Sequence, residues 1–231
     1  MALTVGMLLF PSMTQLDMTA PYEVFRRMPD TKVILLAGKY DTIEAEGGLR
    51  IAPDSSLAEA PALDIIFVPG GTGVSGVIQD VECLEFLRRQ AQTAHYITSV
   101  CTGALVLGAA GLLRGYRATT HWLSLDLLPL VGAIPCSDRV VIDCNRITAG
   151  GVTAGIDFGL TIAAELFGRA VAERIQLMME YCPQPPFDSG SPTTARKELV
   201  ADIRRDCQAL LEARQCLLRD VMATGAVNHR K

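Results

Sequence analysis

The chain has 231 residues, 49% of them hydrophobic and 20% charged, and 21 Lys plus Arg against 25 Asp plus Glu give a formal charge of −4. That length and balance predict one compact soluble domain with an extension and ample material for a core. The acidic balance excludes non-specific nucleic-acid binding, which needs a basic face. Apolar runs meet a glycine or a charge well before membrane-spanning length, so no membrane segment is expected. The opening Met1-Ala2-Leu3-Thr4 carries no charged n-region or cleavage pattern, so no signal peptide is expected either.

Taken in order, Leu3 to Phe10 reads as a buried strand and Asp17 to Arg27 as a short helix with Pro21 in its first turn. Lys32 to Ala37 is a second strand, and Ile43 to Ala52, with Gly47-Gly48 at its middle, has the pattern of a hairpin. Asp64 to Val68 is a buried strand ended by Pro69-Gly70-Gly71-Thr72-Gly73, and a helix over Val81 to Gln92 follows. Tyr96 to Val100 is a strand that runs straight into Cys101 and a helix over Leu105 to Leu113. Trp122 to Leu130 is helical, and Val140–Ile142 with Arg146–Thr148 forms a strand pair around Asp143-Cys144-Asn145. Helices over Ala154 to Phe167 and Ala170 to Tyr181 close the body. Strands alternating with helices predict an α/β fold, a mostly parallel sheet with helices on both faces. Ligands of such sheets sit beyond the carboxyl ends of the strands, which gathers the loop after Phe10, the Gly70 loop and Cys101 on one edge.

After Pro183-Gln184-Pro185-Pro186 the chain changes character. Val200, Ile203, Cys207, Leu210, Leu211, Leu218 and Val221 recur at helical spacing opposite Lys197, Asp202, Arg205, Glu212 and Arg219. This predicts one amphipathic helix docked on the body or on a partner subunit. The expected organisation is a body over 1–182 and a linker with a helical extension over 183–231.

Seven cysteines are present, at 83, 101, 136, 144, 182, 207 and 216, an odd number with no C-x-x-C pair and no zinc-finger spacing. A disulfide framework is not expected in a chain of this size, which fits a reducing cytoplasm, and six of the seven read as inert, partly buried small hydrophobes. Cys101 differs because it stands at a strand-to-helix turn, where helix N–H groups favour the thiolate. It reads as a nucleophile.

Asp17, just past the first strand, should reach the same edge, either as a simple helix cap or as a carboxyl group beside the thiol. The second role requires partial burial to lift its pKa, since an ionised neighbour raises the thiol's own. Gly70, Gly71 and Thr72 follow a strand and either form a plain turn or aim N–H groups at developing charge. They match neither a dinucleotide fingerprint nor a Walker loop. Thr102 either opens the helix or holds substrate or water, and the turn at Gly150-Gly151 either leads into a helix or walls the pocket. His121 is the one candidate for a Cys–His dyad, equally read as a sheet-edge hydrogen-bonder; His95 and His229 read as structural or solvated.

These residues carry a resemblance. Leu16-Asp17, Pro21-Tyr22-Glu23-Val24, Val68-Pro69-Gly70-Gly71, Cys101-Thr102-Gly103-Ala104, Ala118-Thr119-Thr120-His121-Trp122 and Ile147 to Asp157 resemble the DJ-1/PfpI superfamily. The combination of Asp17, Cys101 and Thr102 is most similar to its isonitrile hydratase branch: protease-like members carry histidine in place of Thr102, and DJ-1-like and deglycase members carry glutamate in place of Asp17. The resemblance implies a flavodoxin-like sandwich, a homodimer and an exposed reactive cysteine on a strained elbow. It implies that Cys101 attacks a small-molecule isonitrile, that Asp17 handles protons, and that Thr102, Gly70, Gly71, Thr72 and Gly150 position substrate and water, with no cofactor and no metal. Other readings are a thiol-dependent glyoxalase or deglycase, a redox sensor, or a regulator joined to an AraC-type module. The last needs roughly two helix-turn-helix units with basic recognition helices, and the tail offers one mixed-charge helix.

Overall fold

The computed structural model describes residues 2–228, so His229 lies outside the described residues. Strand β1 (Leu3–Leu8) leads into α1 (Gln15–Phe25), and β2 (Thr31–Ala37) follows. A hairpin of β3 (Ile43–Glu44) and β4 (Arg50–Ile51) precedes the short β5 (Ser55–Ser56). Then come β6 (Ile65–Val68), α2 (Val74–Gln79), α3 (Val81–Gln90), β7 (Tyr96–Val100) and α4 (Gly103–Ala109). A small parallel pair, β8 (Arg117–Ala118) and β9 (Ile134–Pro135), brackets a 3-10 helix over Trp122–Val131. The body ends with β10 (Val140–Asp143), β11 (Arg146–Ala149), α5 (Ala154–Phe167) and α6 (Arg169–Met178), and the tail forms α7 (Lys197–Asp206) and α8 (Gln208–Asn228).

The main sheet has seven strands in the order β10-β11-β7-β6-β1-β2-β5. All neighbours are parallel except the edge strand β10, which runs antiparallel to β11. The central strands are buried on both faces, which explains why their sequences are continuous apolar runs rather than alternating ones. On the face covered by α1 and α5, Phe25, Phe67 and Phe158 meet with ring centroids 5.6 to 6.4 Å apart. Each such aromatic pair adds about 0.5–1.5 kcal/mol beyond its area burial. The strand ends of β1, β6, β7 and β11 are consecutive in the sheet, with Val5 paired to Ile65, Val68 to Ser99 and Val100 to Ala149. Four adjacent loops therefore open on one edge.

Three local expectations need correction. Helix α1 begins at Gln15, so Pro21 lies in its interior, not its first turn, and the N–H that would bond the Asp17 carbonyl is missing. The extension is two helices rather than one, with Cys207 at their junction as the C-cap of α7. Its periodicity ran on across the junction because α8 restarts directly after the bend. The six other cysteines are not uniformly half-buried: Cys83 is buried, whereas Cys144, Cys182 and Cys216 are exposed in loops and on α8. All seven are free thiols. No helix is long and apolar enough to cross a membrane among the described residues.

Candidate active site

Strand β7 ends at Val100 and the chain turns sharply at Cys101, whose φ of +55° lies in the left-handed region. For a residue with a Cβ that conformation costs about 1–2 kcal/mol, so the surroundings must hold it. They do so on both sides of the peptide. The Cys101 N–H is shared between the carbonyls of Ala149 (3.0 Å) and Gly150 (2.9 Å), and the Thr120 hydroxyl donates to the Cys101 carbonyl at 2.8 Å. Gly103 then lets α4 start hard against β6, because a Cβ there would stand 2.1 Å from the Val68 carbonyl oxygen.

Asp17 arrives from the first turn of α1 with no exposed surface. Its Oδ2 accepts the Gly70 N–H at 2.8 Å, while Oδ1 is buried without a hydrogen-bond partner. Burial lifts its pKa from 3.8 to about 7, opposed by the Gly70 N–H and the Cys101 thiol and reinforced by the charge of Glu46. The lift that the acid–base reading required is therefore present. The thiol does not follow expectation. Cys101 is 5% exposed, and burial, followed by the charge of Asp17, pushes its pKa up to about 12. The N–H groups of Val152 and Thr102 point at the sulfur and favour the thiolate, but they do not offset that desolvation. Burial therefore raises both groups, and of the two the aspartate is the one that gives up its proton first.

Of the two alternatives for the glycine loop, a plain turn or a cradle of free amides, the hydrogen bonds favour the first. The Gly70 N–H is taken by Asp17, the Gly71 N–H by the Thr102 hydroxyl (3.0 Å) and the Thr72 N–H by Glu46 (2.7 Å). The Gly150 N–H is spent on the Arg139 carbonyl at 2.9 Å. Their donors position side chains and loops instead of standing free for substrate. Gly71 has φ +132° and bridges to Met13, where a Cβ would stand 2.5 Å from the Thr14 nitrogen, so glycine is needed on both counts. At Gly70 the demand is steric: a Cβ would meet the Thr102 nitrogen at 2.5 Å and Asp17 Oδ2 at 2.8 Å. Gly70→Ala should therefore displace both side chains, lowering stability by about 1–3 kcal/mol. Thermal unfolding alongside turnover checks this; a variant with normal melting and normal rate would contradict it.

Over the sulfur lies a cavity of ≈ 170 Å³, lined by Thr14, Glu46, Gly71, Thr72, Cys101, Thr102, His121, Leu123, Ser124 and Val152 from the body. The remaining wall is Cys207, Leu210, Leu211 and Arg214 of the tail. The resemblance implied an exposed cysteine; the tail helices of the same chain cover it. His121 Nδ1 accepts the Leu123 N–H at 3.4 Å, and burial followed by Arg214 holds its pKa below the usual imidazole value. It is a neutral cap at the pocket wall, and no hydrogen bond joins it to Cys101 among the described residues. His95 is an exposed partner of Asp64 at 3.6 Å.

Two charged residues escaped the sequence reading. Glu46 comes from the hairpin turn and accepts the Thr14 hydroxyl (2.8 Å) as well as the Thr72 N–H. Burial pushes its pKa up, but these bonds and Arg214 prevail and hold it below the usual carboxylate value. Nothing local to Ala45-Glu46-Gly47 signals this. Arg214 was findable: the apolar spacing of Leu211, Leu218 and Val221 passes through position 214, so an arginine interrupts the buried stripe.

A buried thiol on a left-handed strand-to-helix turn, beside a neutralisable acid from the first turn of α1, defines a cysteine-elbow site on a flavodoxin-like sheet. The DJ-1/PfpI family pattern matches residues 4–165, and the chain belongs to that family. It is 52% identical over 214 residues to the isonitrile hydratase of Pseudomonas putida, covering 93% of this chain and 94% of that protein. It is 31% identical over 191 residues to the HTH-type transcriptional regulator GbdR of Pseudomonas aeruginosa, covering 77% of this chain but 50% of the regulator. A THiJ/PfpI family protein from Pseudomonas syringae superposes with a TM-score of 0.92 at 41% identity, covering 94% of this chain and 91% of that one.

Proposed function

We propose that this protein is an isonitrile hydratase in which Cys101 is the nucleophile and Asp17 carries the proton. The observation that supports this reading most is the Asp17 carboxyl group, buried beside the Cys101 sulfur with a pKa lifted to about 7. The 52% identity to the Pseudomonas putida isonitrile hydratase over 93% of this chain supports the substrate class. An isonitrile carbon accepts both a nucleophile and a proton, so it needs a thiol and a proton carrier at one point. A single-proton Cys–Asp pair supplies both.

In the first step the S–H proton moves through Asp17 to the terminal carbon of R–N≡C while sulfur bonds the same carbon, giving R–N=CH–S–Cys101. Water then attacks that carbon and the nitrogen is protonated, giving R–NH–CH(OH)–S–Cys101. The C–S bond breaks, the hydroxyl proton returns through Asp17 to sulfur, and the formamide R–NH–CHO leaves. The Val152 and Thr102 N–H groups support the sulfur as it gains and regains charge. Thr102, locked to both ends of the Gly71 peptide, fixes the elbow against the glycine loop.

We assign residues 1–182 to the catalytic body and 183–231 to a linker and helical cover. The protein is proposed to work in a reducing cytoplasm, where its free thiols are stable, and as a homodimer. Leu177, Met178 and Phe187 remain exposed at 81%, 64% and 78%, apolar surface that a second copy would cover. Light scattering should return twice the chain mass, and a monomer at micromolar concentration would remove that part of the reading. The function itself is tested by following loss of an aromatic isonitrile spectrophotometrically, with methylglyoxal as a parallel substrate. The reading predicts the formamide from the first and little turnover of the second; the reverse pattern would assign a glyoxalase.

A further inference from the structure

Arg214 stands among the apolar residues of α8, yet it is 5% exposed and forms part of the wall over Cys101. Among the described residues its guanidinium makes one hydrogen bond, from Nη2 to the Gly71 carbonyl oxygen at 2.8 Å. Among the described residues its buried Nε has no partner and no carboxylate forms a salt bridge with it. A guanidinium offers five donors, and a desolvated cation left unpaired is strongly unfavourable unless something in the cavity answers it. Glu46 feels its charge and accepts from Thr72 and Thr14, but among the described residues it forms no ion pair with Arg214 within 4 Å. No hydrogen bond joins Arg214 to the Cys101 sulfur among the described residues, its one bond being to the Gly71 carbonyl. The Ser124 hydroxyl, also buried and unpartnered, lines the same space.

We propose that Arg214 is the anchor for a carboxylate on the substrate, so that the physiological isonitriles are small isonitrile-bearing carboxylic acids. This rests on the hydratase reading and deepens it. A planar carboxylate accepts from two guanidinium N–H groups at once, which orients the ligand as well as holding it. The family pattern ends at residue 165, so the anchor belongs to the tail and not to the shared body. Arg214 and Cys101 line the same cavity of ≈ 170 Å³, which suits a compact substrate carrying both the carboxylate and the isonitrile.

The test compares isocyanoacetate with its methyl ester, which differ in the charge but share the reacting group. Wild type should favour the carboxylate in kcat/KM by at least about tenfold, the difference lying in KM. Arg214→Gln should bring the ratio close to one, and Arg214→Lys should retain part of the preference. A merely structural arginine would lower both substrates together. Calorimetry on Cys101→Ala, which keeps Arg214, should show N-formylglycine binding more tightly than its methyl ester. Equal wild-type kcat/KM values, or a preference that survives Arg214→Gln, would overturn the anchor. If neither isonitrile turns over while N-formylglycine still binds preferentially, the hydratase reading falls and the anchor stands.

Discussion

Cys101→Ala is expected to abolish formamide formation, lowering kcat/KM by at least about 10⁴-fold, as removal of a covalent nucleophile does. Alanine carries the same Cβ into the left-handed position, so the elbow's strain is unchanged and the backbone bonds to Ala149, Gly150 and Thr120 remain. The variant should therefore melt within a few degrees of wild type. Cys101→Ser is the sharper form of the experiment. It keeps a hydroxyl beside Asp17 but replaces the polarisable sulfur by a much weaker nucleophile, and it should be nearly as inactive. Circular dichroism and a product assay by NMR check both variants together. Turnover above about one per cent of wild type in either would mean that the carbon is attacked by something other than this sulfur.

Asp17→Asn is expected to lower kcat by roughly 10²–10⁴-fold, the range for a positioned acid–base group. Wild-type kcat/KM should rise with pH through about 7, where the Cys–Asp pair passes from two protons to the single-proton form that has an internal acceptor for the thiol proton. In the variant that inflection should vanish. Stability should move the other way. The folded pKa of Asp17 lies above its ordinary value of 3.8, so its contribution is fully present below about pH 4 and is lost as pH rises towards about 7. Asparagine carries no charge to desolvate and still accepts the Gly70 N–H. The variant should thus be more stable than wild type at pH 8, by up to roughly 4 kcal/mol, and gain nothing at pH 4. Urea unfolding at the two pH values reads this directly. An inflection that persists in Asp17→Asn would assign it to another group.

Much of this architecture was legible because parallel βα units write themselves plainly. Continuous apolar runs such as Ile65 to Val68, ended by Pro69-Gly70-Gly71, mark doubly covered strands, and the switch-edge rule then gathers Asp17, Gly70 and Cys101. Short elements were not legible: α2 is interrupted by Gly76, and Ser55–Ser56 has too few residues for any periodicity. The proximity of Asp17 and Cys101 was readable, but their electrostatics was not. Helix-terminus reasoning favoured the thiolate, whereas burial raises the thiol and the aspartate alike, and part of the wall over the thiol comes from the tail. That wall over Cys101 comes from Cys207, Leu210, Leu211 and Arg214, more than a hundred positions away. The sequence offered the amides at Gly70, Gly71, Thr72 and Gly150 to substrate, but it does not say which donors are already engaged, and these four are. Arg214 was the one residue whose sequence signal was present and unread.

The most direct measurement is mass analysis of wild-type protein quenched within a single turnover of an isonitrile. A covalent adduct heavier by one isonitrile should appear and then decay, and digestion should place it on the peptide that contains Cys101. Formamide accumulating at the wild-type rate in Cys101→Ala, with no such adduct on the native protein, would contradict thiol addition.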